Sequence, residues 1–368
     1  SIDDVKSKMA DASADLVPEP TTRETICFWL YSSGSTGNPK GVVHPHRSMV
    51  YTSQCSGVDT IGMREDDVCF SVSKLFHSYG FGNALTFPLW VGATIAISEE
   101  KVSPAMAFEK IEKFKPSIFF GVPTLYAQQL HYMESNDVDT SSVRHCVSAG
   151  EALPADVFLR WKEKTGTVIL DCLGSTEALH FFIGNTTDNY NPGTSGRRVN
   201  RYELRIVDEE GAQVERGDIG TLHVRGGSTA VEYWKYPEKT AATMLPENWL
   251  NTGDMYYEND DGCYVNGGRG DDMLKVGGLW CSPTEIEACL IEHAKVLEVA
   301  VVGRADPDGL IKPEAHIVLN NPDDAGAELE EDLLSHCRDG IDRYKYPRWF
   351  NFVEDLPKTA TGKVQKFV

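Results

Sequence analysis

The chain has 368 residues, of which 35 are basic and 55 acidic, and its formal net charge is −20. A chain of this length is expected to fold as two or three domains around a substantial core. The acidic balance argues against broad binding of nucleic acid or of an anionic membrane, so an anionic ligand would need basic residues close to it.

Cysteine usage and hydropathy narrow the class further. The nine cysteines are an odd number and contain no CxxC pair, which favours reduced thiols over a disulfide framework or a zinc site. No apolar run approaches the ~20 residues that span a bilayer, and the first residues lack the apolar core of a signal peptide. These features predict a cytoplasmic protein.

The first chemical motif follows an apolar run at residues 26–30 and reads YSSGSTGNPKG at 31–41. Hydroxyl residues alternate with glycines, so the backbone can bend tightly while N–H and O–H donors surround one anion. The spacing fails the Walker A rule, because no Gly-Lys-Ser/Thr follows the first glycine at the required distance. The motif predicts a nucleotide-phosphate loop at a strand end, and its candidate ligands are Ser32, Ser33, Gly34, Ser35, Thr36, Gly37 and Lys40.

Strand-like and helix-like segments alternate from residue 26 to residue 172. Strands are predicted at 26–31, 68–72, 94–97, 117–122, 144–148 and 168–172. Ser103 begins a helix that Pro116 stops, and Pro154 opens a second helical segment. The alternation predicts an α/β fold whose largely parallel sheet is covered by helices and binds ligands at the carboxyl ends of its strands.

The pattern changes after residue 184. Glycine turns separate short alternating strands at 202–207, 220–224 and 262–265, which predicts a small antiparallel or barrel-like unit. An α+β pattern follows, with a helix from Ser282, strands at 296–302, 315–319 and 349–353, and a helix near 329–337. We therefore predict three parts: a partial large-domain region at 1–184, a β subdomain at 185–270 and a C-terminal lobe at 271–368.

Four further segments carry candidate ligands, although each is ambiguous alone. Glu177, with Thr176, follows a predicted strand and is suited to Mg²⁺, although a lone glutamate there more often marks a helix start. Asp254 caps a turn or accepts hydrogen bonds from a ribose diol. Arg269 and Asp271 stand between the two lobes, and the tail carries Lys363 in a loop where lysines are usually solvated.

Together, these segments resemble the acyl-adenylate-forming superfamily, which contains acyl-CoA synthetases, luciferases and peptide-synthetase adenylation domains. The resemblance runs from about Ile26 to the end, and both motif order and spacing carry it. It implies that residues 32–40 bind the phosphates of ATP and that Thr176 and Glu177 serve Mg²⁺. It also implies adenine contacts at Gly150, Glu151, Ala152 and Asp171, ribose contacts at Asp254 and Arg269, and a hinge at Asp271.

The same resemblance implies two half-reactions at one active site. Lys363 would bridge the acyl carboxylate and the α-phosphate during adenylation, where placed cations offset the charge of two anionic reactants. The small lobe would then rotate about Asp271, and the loop from Lys275 to Gly278 would replace Lys363 when the CoA thiol attacks.

Within that superfamily the chain is most similar to benzoate-type CoA ligases, on the phrases FHSYGFGNA at 76–84, LGSTEALHFF at 173–182 and DDMLKVGGLWCSP at 271–283. In that group the aryl pocket is expected at His77, Ser78, Tyr79, Gly174, His180 and Phe181, with Lys275 near the carboxylate. Aromatic rings and glycine would form a flat slot for a planar ring. Because a hydroxyl at Ser78 can pair with a ring hydroxyl, hydroxybenzoate is favoured over benzoate.

The expected activity is an ATP- and Mg²⁺-dependent ligation of an aromatic carboxylic acid to CoA through an aryl-adenylate. Two alternatives remain: an adenylation domain that loads a carrier-protein thiol, and an inactive fragment that only binds nucleotide. Members of this family have further residues before the first motif, so the chain is expected to be truncated at its N-terminus. The oligomeric state is left open by the sequence.

Overall fold

The computed structural model describes residues 2–13, 15–32, 39–270, 272–276, 279–307, 309–358 and 364–366, without the side chains of Ile2, Arg269, Lys275 and Trp280. Within these ranges the α-helices are α1 Ile2–Ala10, α2 His46–Thr52, α3 Ser78–Phe81, α4 Phe87–Val91, α5 Pro104–Phe114, α6 Pro123–Tyr132, α7 Ala155–Thr165, α8 Pro237–Thr243, α9 Pro283–Ile291 and α10 Ala327–Gly340. π-Helical segments occupy Ser53–Thr60 and Gly82–Thr86, and 3₁₀ turns occupy Pro246–Asn248, Pro322–Asp324 and Arg343–Lys345.

The strands in the first half are β1 Ile26–Ser32, β2 Lys40–Pro45, β3 Val68–Ser71, β4 Thr94–Ala96, β5 Ile118–Gly121, β6 His145–Ala149, β7 Ile169–Gly174, β8 Phe181–Gly184 and β9 Arg197–Arg198. Those in the second half are β10 Glu203–Val207, β11 Gly220–Arg225, β12 Glu232–Tyr233, β13 Met244–Leu245, β14 Trp249–Glu258, β15 Tyr264–Arg269, β16 Leu274–Val276, β17 Leu279–Cys281, β18 Val296–Ala305, β19 Ile311–Leu319 and β20 Trp349–Phe352.

The largest sheet has seven strands in the order β4-β3-β5-β6-β7-β8-β9. The first five strands are mutually parallel, whereas β8 pairs antiparallel with β7 and β9 pairs antiparallel with β8. The predicted largely parallel sheet is therefore confirmed, with strand bounds that differ from the prediction by one or two residues. The sheet continues past residue 184, because β8 pairs with β9. The predicted three-part division stays a prediction.

Helices cover the sheet where local sequence signals place them. The Ser103 hydroxyl accepts a hydrogen bond from the Met106 N–H at 3.2 Å and caps α5, which ends at the left-handed Lys115 just before Pro116. Along β5, Phe119 joins the buried cluster of α5, α6 and α7, whereas Ile118 and Phe120 join the cluster on the opposite face. This alternation is the period of a strand that is buried on both faces.

One predicted strand belongs to a different sheet. β1 was expected among the strands of the parallel layer, but it pairs antiparallel with β2 in a separate three-stranded sheet, β1-β2-β12. The sequence shows an apolar run followed by a glycine-rich loop, and that pattern is the same for a βα unit and for a β-hairpin. The phosphate motif therefore lies between two antiparallel strands.

The remaining strands form smaller units. β10, β11, β13, β14 and β15 make a five-stranded antiparallel sheet, which is the first of the two forms predicted for this region. In the C-terminal part, β18 pairs with β19 and β19 with β20, and the core of this sheet includes residues of α9 and α10. β16 and β17 form an antiparallel pair of their own.

Two further observations concern the whole chain. The nine cysteines are free thiols, and all except Cys27 are buried. Among the residues that the structure describes, no helix combines the length and apolarity needed to cross a membrane.

Candidate active site

Three loops with predicted ligands follow the carboxyl ends of parallel strands. His77, Ser78 and Tyr79 follow β3, Gly150 to Ala152 follow β6, and Gly174 to Glu177 end β7 and continue beyond it. Because β3, β5, β6 and β7 are parallel neighbours, these loops share one edge of the sheet. The fold thus brings the predicted acid-binding, adenine-binding and metal-binding segments to the same edge.

Aromatic rings surround His180 at this edge. The imidazole centroid lies 4.5 Å from the ring of Phe87, 5.6 Å from Tyr79 and 4.9 Å from Phe181. The Tyr79 hydroxyl donates a hydrogen bond to the Val147 carbonyl at 3.1 Å, which fixes the ring against β6. Four of the six residues predicted for the aryl pocket, Tyr79, Gly174, His180 and Phe181, are therefore neighbours.

The turn between β7 and β8 requires Gly174. A Cβ added at Gly174 would lie 2.6 Å from the Cα of Phe181, which is closer than any real contact of this kind. The chain reverses through Leu179, whose φ of 66° is unusual for a residue with a side chain. This close hairpin places His180 against Gly82, so a side chain at residue 82 would collide with the imidazole.

His180 is a neutral hydrogen-bond acceptor. Burial lowers its pKa to about 3, so the ring is uncharged near neutral pH. Its Nε2 lies 3.3 Å from the Tyr79 carbonyl, which can only accept, so Nε2 carries the proton. The buried Nδ1 has no partner among the described residues. The Nδ1 lone pair can therefore accept a hydrogen bond among these aromatic rings.

His77 and Ser78 start the short helix α3. His77 is the N-cap residue, and its carbonyl accepts the Phe81 N–H at 2.7 Å. Burial lowers its pKa, and within the described chain its Nε2 is buried without a hydrogen-bond partner. Ser78 is partly exposed. Both residues lie at the start of helix α3, which also carries Tyr79, as the sequence predicts for pocket residues.

The phosphate motif is described only at its two ends. Ser32 and Lys40 are cross-strand partners in the β1–β2 ladder. The other predicted ligands, Ser33, Gly34, Ser35, Thr36 and Gly37, lie outside the described residues. The ladder places Ser32 and Lys40 one strand spacing apart.

Lys40 is connected to the predicted metal ligand through Tyr233. The Lys40 Nζ lies 5.1 Å from the centroid of the Tyr233 ring, and the Tyr233 hydroxyl donates to Glu177 Oε1 at 2.8 Å. The Ala230 N–H also donates to the Glu177 carbonyl at 2.7 Å. The structure therefore brings together Lys40 and Glu177, which are far apart in the sequence.

Two residues that the sequence analysis missed support this arrangement. Tyr233 is on the short strand β12, and no spacing rule connects it to Glu177; the only sequence signal is the aromatic run at 233–236. His44 is buried and donates through Nε2 to the Thr176 carbonyl at 2.8 Å. Burial lowers the pKa of His44 to about 4, so this contact is a neutral hydrogen bond.

Of the residues predicted beside adenine, Gly150, Glu151 and Ala152 follow β6, and Asp171 lies within β7. Gly150 has a φ of +99°, a conformation that favours glycine. Glu151 Oε2 accepts the Thr124 hydroxyl at 2.9 Å, which ties the loop to α6, and Ala152 is partly buried. Burial raises the pKa of Asp171 well above its usual value. The raised pKa favours the protonated form of this carboxyl.

The residues predicted to hold ribose are cross-strand neighbours. Asp254 on β14 is the register partner of Arg269 on β15. The predicted turn at Asp254 lies within strand β14, at an irregularity of its pairing with β11. Asn251 Oδ1 accepts the Gly253 N–H at 2.9 Å there, and the Thr252 hydroxyl accepts the Asp254 N–H at 3.1 Å. The side chain of Arg269 is not described, so the structure shows only that the backbones of Asp254 and Arg269 are adjacent.

The three predicted catalytic residues are the least described. Lys275 is in β16 opposite Trp280, and its side chain is not described. Asp271 and Lys363 lie outside the described residues. Lys358 and Lys366, which are described, form ion pairs with the partly buried Glu298 and Glu287.

Comparison with known proteins identifies the family. The model of the AMP-binding enzyme family matches residues 2–234, and that of the AMP-binding enzyme C-terminal domain matches residues 285–363. The chain belongs to the AMP-binding enzyme family. This assignment confirms the resemblance that the order and spacing of the motifs indicated.

Similar members of the AMP-binding family act on aromatic acids. The chain is 50% identical over 366 residues to the benzoate–CoA ligase of Thauera aromatica, covering 99% of this chain and 69% of that protein. It is 44% identical to the 4-hydroxybenzoate–CoA/benzoate–CoA ligase of Rhodopseudomonas palustris, covering 95% of this chain and 65% of the relative. The chain thus spans about two thirds of these relatives.

Solved structures of AMP-binding enzymes agree in fold. An anthranilate CoA ligase in complex with anthranoyl-AMP superposes with a TM-score of 0.94 at 43% identity, covering 98% of this chain and 70% of the other. A benzoate CoA ligase from Burkholderia xenovorans gives a TM-score of 0.90 at 43% identity, covering 98% and 72%. The predicted adenylate-forming fold and the predicted similarity to benzoate-type ligases are both confirmed.

Proposed function

We propose that the chain is the catalytic portion of an AMP-forming aryl-CoA ligase, which activates an aromatic carboxylic acid with ATP and then transfers the acyl group to CoA. One observation carries the proposal: the Lys40–Tyr233–Glu177 connection joins the phosphate motif to the candidate metal carboxylate at the sheet edge that also carries the aromatic surrounding of His180. The likeness to benzoate and hydroxybenzoate CoA ligases supports the choice of substrate class.

The acid is proposed to bind among Tyr79, His180 and Phe181, with His77, Ser78 and Gly174 completing the pocket. The rings provide flat apolar contact, and close approach at Gly174 keeps the slot narrow. The unpaired Nδ1 of His180 and the hydroxyl of Ser78 suit a ring that carries a hydroxyl group. Hydroxybenzoate is therefore the favoured substrate, with benzoate second.

ATP is proposed to lie across the strand ends. The segment from Ser32 to Gly37, with Lys40, would bind the phosphates, and Gly150, Glu151, Ala152 and Asp171 would contact adenine. Asp254 and Arg269 would hold the ribose. Burial raises the pKa of Asp171, which favours the protonated carboxyl, and that form can donate a hydrogen bond.

Mg²⁺ is proposed to be held by Glu177 with help from Thr176. The described residues contain no cluster of three or more metal-ligating side chains. A single carboxylate is still suitable, because Mg²⁺ at phosphates commonly keeps several waters and takes one or two protein carboxylates. The hydrogen bond from Tyr233 orients the Glu177 carboxylate, as partners of metal ligands generally do. Mg²⁺ would neutralise phosphate charge there.

The proposed reaction has two steps, adenylation of the acid and transfer of the acyl group to CoA. In the first, a carboxylate oxygen of the acid bonds to the α-phosphorus of ATP, the bond from that phosphorus to the bridging oxygen breaks, and pyrophosphate leaves. Lys363 would stabilise the charge on the reacting oxygens. In the second, the CoA sulfur bonds to the acyl carbon after loss of its proton, and AMP leaves. Rotation at Asp271 would bring the Lys275 loop into place for this step.

The experiment that tests the proposal measures the two steps separately. Acid-dependent exchange of labelled pyrophosphate into ATP reports the first step, and CoA-dependent AMP release reports the second. We expect both with benzoate or 4-hydroxybenzoate and neither with a straight-chain fatty acid, and we expect Lys363→Ala to abolish exchange. ATP binding without exchange in the unmodified chain would contradict the proposal, and acyl transfer only to a carrier-protein thiol would identify the other enzyme class.

A further inference from the structure

We propose that Asn83 is a specificity-determining residue of the aryl pocket, where its amide and the Nδ1 of His180 together recognise a hydroxyl group on the ring of the acid. The inference rests on the activity and the aryl pocket stated under Proposed function. It adds a residue for which neither the motifs nor the family resemblance gives a role.

Asn83 lies on the helical segment that packs against His180. This segment runs from α3 through the π-helical turn Gly82–Thr86 into α4. Tyr79, Asn83 and Phe87 are spaced by four residues, and residues at this spacing are neighbours on the surface of a helix. The ring centroids of Tyr79 and Phe87 lie 5.6 and 4.5 Å from that of His180. The helix thus places Asn83 between the two residues whose rings flank the imidazole.

The surroundings of Asn83 show that its amide is close to the pocket. A side chain at Gly82, the preceding residue, would collide with the imidazole of His180. Burial raises the pKa of Tyr79 well above its usual value, and the neighbouring Asn83 amide acts on the same hydroxyl in the opposite direction. That hydroxyl donates its hydrogen to the Val147 carbonyl at 3.1 Å, so it has no second hydrogen for Asn83.

Both polar atoms of the Asn83 amide are buried without a hydrogen-bond partner. The residue is 0% exposed, and neither Nδ2 nor Oδ1 bonds to any residue that the structure describes. The Nδ1 of His180, the Nε2 of His77 and the hydroxyl of Thr86 share this property. Such groups are rare in native proteins, because nothing offsets their loss of hydration. Their concentration beside the aromatic rings indicates a ligand that supplies the missing hydrogen bonds.

A phenolic hydroxyl matches these groups, since it both donates and accepts hydrogen bonds. The Nε2 of His180 carries the proton, so Nδ1 can only accept, and the hydroxyl would donate to it. The oxygen of the hydroxyl would then accept from the Nδ2 of Asn83. Benzoate has no such group and would leave both side chains buried without a partner. The pair therefore favours hydroxybenzoate over benzoate, separately from the contribution of Ser78.

The test replaces the amide by an apolar side chain of similar shape. Asn83→Leu should lower the ratio of kcat/KM for a hydroxybenzoate over benzoate by about tenfold, while kcat/KM for benzoate stays within about twofold. Competition between benzoate and each hydroxybenzoate isomer, with the CoA products separated by chromatography, measures this ratio. The free energy of unfolding should not fall, because the variant removes an unsatisfied buried amide; urea unfolding measures it.

The matched control is Gln129→Met. Gln129 is also 0% exposed, and both atoms of its amide also lack a partner among the described residues. It lies on α6, whose Leu125 and Leu130 pack on the face of the sheet opposite to Phe87 and Phe181. Its removal should therefore change the ratio by less than about twofold.

The outcomes separate this inference from the proposed function. An unchanged ratio in Asn83→Leu, or an equal loss in Gln129→Met, would overturn the inference. A ratio of one or less for every hydroxybenzoate isomer in the unmodified protein would do the same, as would an effect of Asn83→Leu on aminobenzoate alone. Absence of acid-dependent pyrophosphate exchange in the unmodified protein would instead overturn the proposed function, and this inference with it.

Discussion

At the scale of single residues, the hydroxyl of Tyr233 gives the most direct prediction. Tyr233→Phe removes the 2.8 Å hydrogen bond to Glu177 and keeps the ring next to Lys40. Hydrogen bonds to charged groups contribute about 1.5–3 kcal/mol, so kcat/KM for ATP should fall at least about tenfold. Steady-state kinetics with varied MgATP measure the effect. Tyr236→Phe, at an exposed tyrosine nearby, is the control; equal losses in both variants would contradict the prediction.

Ser78 gives a prediction about specificity. Its hydroxyl is expected to pair with a ring hydroxyl of the acid, and a neutral hydrogen bond contributes about 0.5–1.5 kcal/mol. Ser78→Ala should therefore lower the ratio of kcat/KM for 4-hydroxybenzoate over benzoate by roughly three- to tenfold. Competition between the two acids in one reaction measures this ratio directly. An unchanged ratio would remove Ser78 from the group that recognises the ring.

At the scale of elements, the β7–β8 hairpin depends on Gly174. Gly174→Ala places a methyl group 2.6 Å from the Cα of Phe181, which is backbone that cannot rotate away. We expect a loss of about 1–3 kcal/mol in the free energy of unfolding, typical of overpacking, and displacement of His180 from the aromatic cluster. Chemical denaturation and acid-binding titrations check the two effects.

Gly41→Ala is the matched glycine control. Gly41 is also within a strand, and a methyl group there meets its nearest neighbour, the Cβ of Trp234, at an ordinary 3.5 Å. The unfolding free energy should change little. If both variants lost the same stability, the close approach at Gly174 would not be the cause.

The helices and strands also show which structural features could be predicted from local sequence. The Ser103 cap, the Pro116 stop and the β-branched runs of the parallel sheet are local signals, and the structure confirms the elements that they predicted. β1 pairs with β2, and the third strand of their sheet is β12, which pairs with β2 and lies about 200 residues further along; the local pattern was therefore insufficient to assign β1 to this sheet. Tyr233 was missed for a similar reason, because its hydrogen-bond partner Glu177 is distant in sequence.

For the candidate site, the family resemblance supplied most of the residues. Tyr79, Gly174, His180 and Phe181 are neighbours, as expected. Their grouping could be anticipated because parallel strands end at one edge. The lowered pKa of His180 and the raised pKa of Asp171 could not be anticipated, since both depend on burial that only the packed fold creates.

At the scale of the whole molecule, we expect the free energy of unfolding to decrease in acid because several histidines are buried. The pKa of His44 falls to about 4 and that of His180 to about 3 in the folded chain, whereas unfolding returns both to about 6.5. Below about pH 6.5 the unfolded state binds more protons than the folded state does. The contribution of these histidines to the free energy of unfolding is therefore complete above this pH and decreases toward pH 4. Each residue contributes up to about 1.4 kcal/mol per pH unit in this window.

The measurement is urea unfolding at several pH values between about 7 and 5. His44→Gln should reduce the slope of unfolding free energy against pH, because glutamine does not titrate. His131→Gln is the control, since that ring is already exposed in the folded chain. An identical slope for His44→Gln and the unmodified protein would show that His44 does not contribute to the acid sensitivity.

The ladder pairing of Ser32 with Lys40 has a consequence for protein engineering. The stretch between them is attached at two points that face each other across a single rung, so its exchange for another sequence of equal length leaves the flanking strands in register. The corresponding stretches of other AMP-binding enzymes could therefore be transplanted as cassettes. If the exchange shifted the pairing of β1 with β2 by one residue, every side chain of the shifted strand would turn to the opposite face.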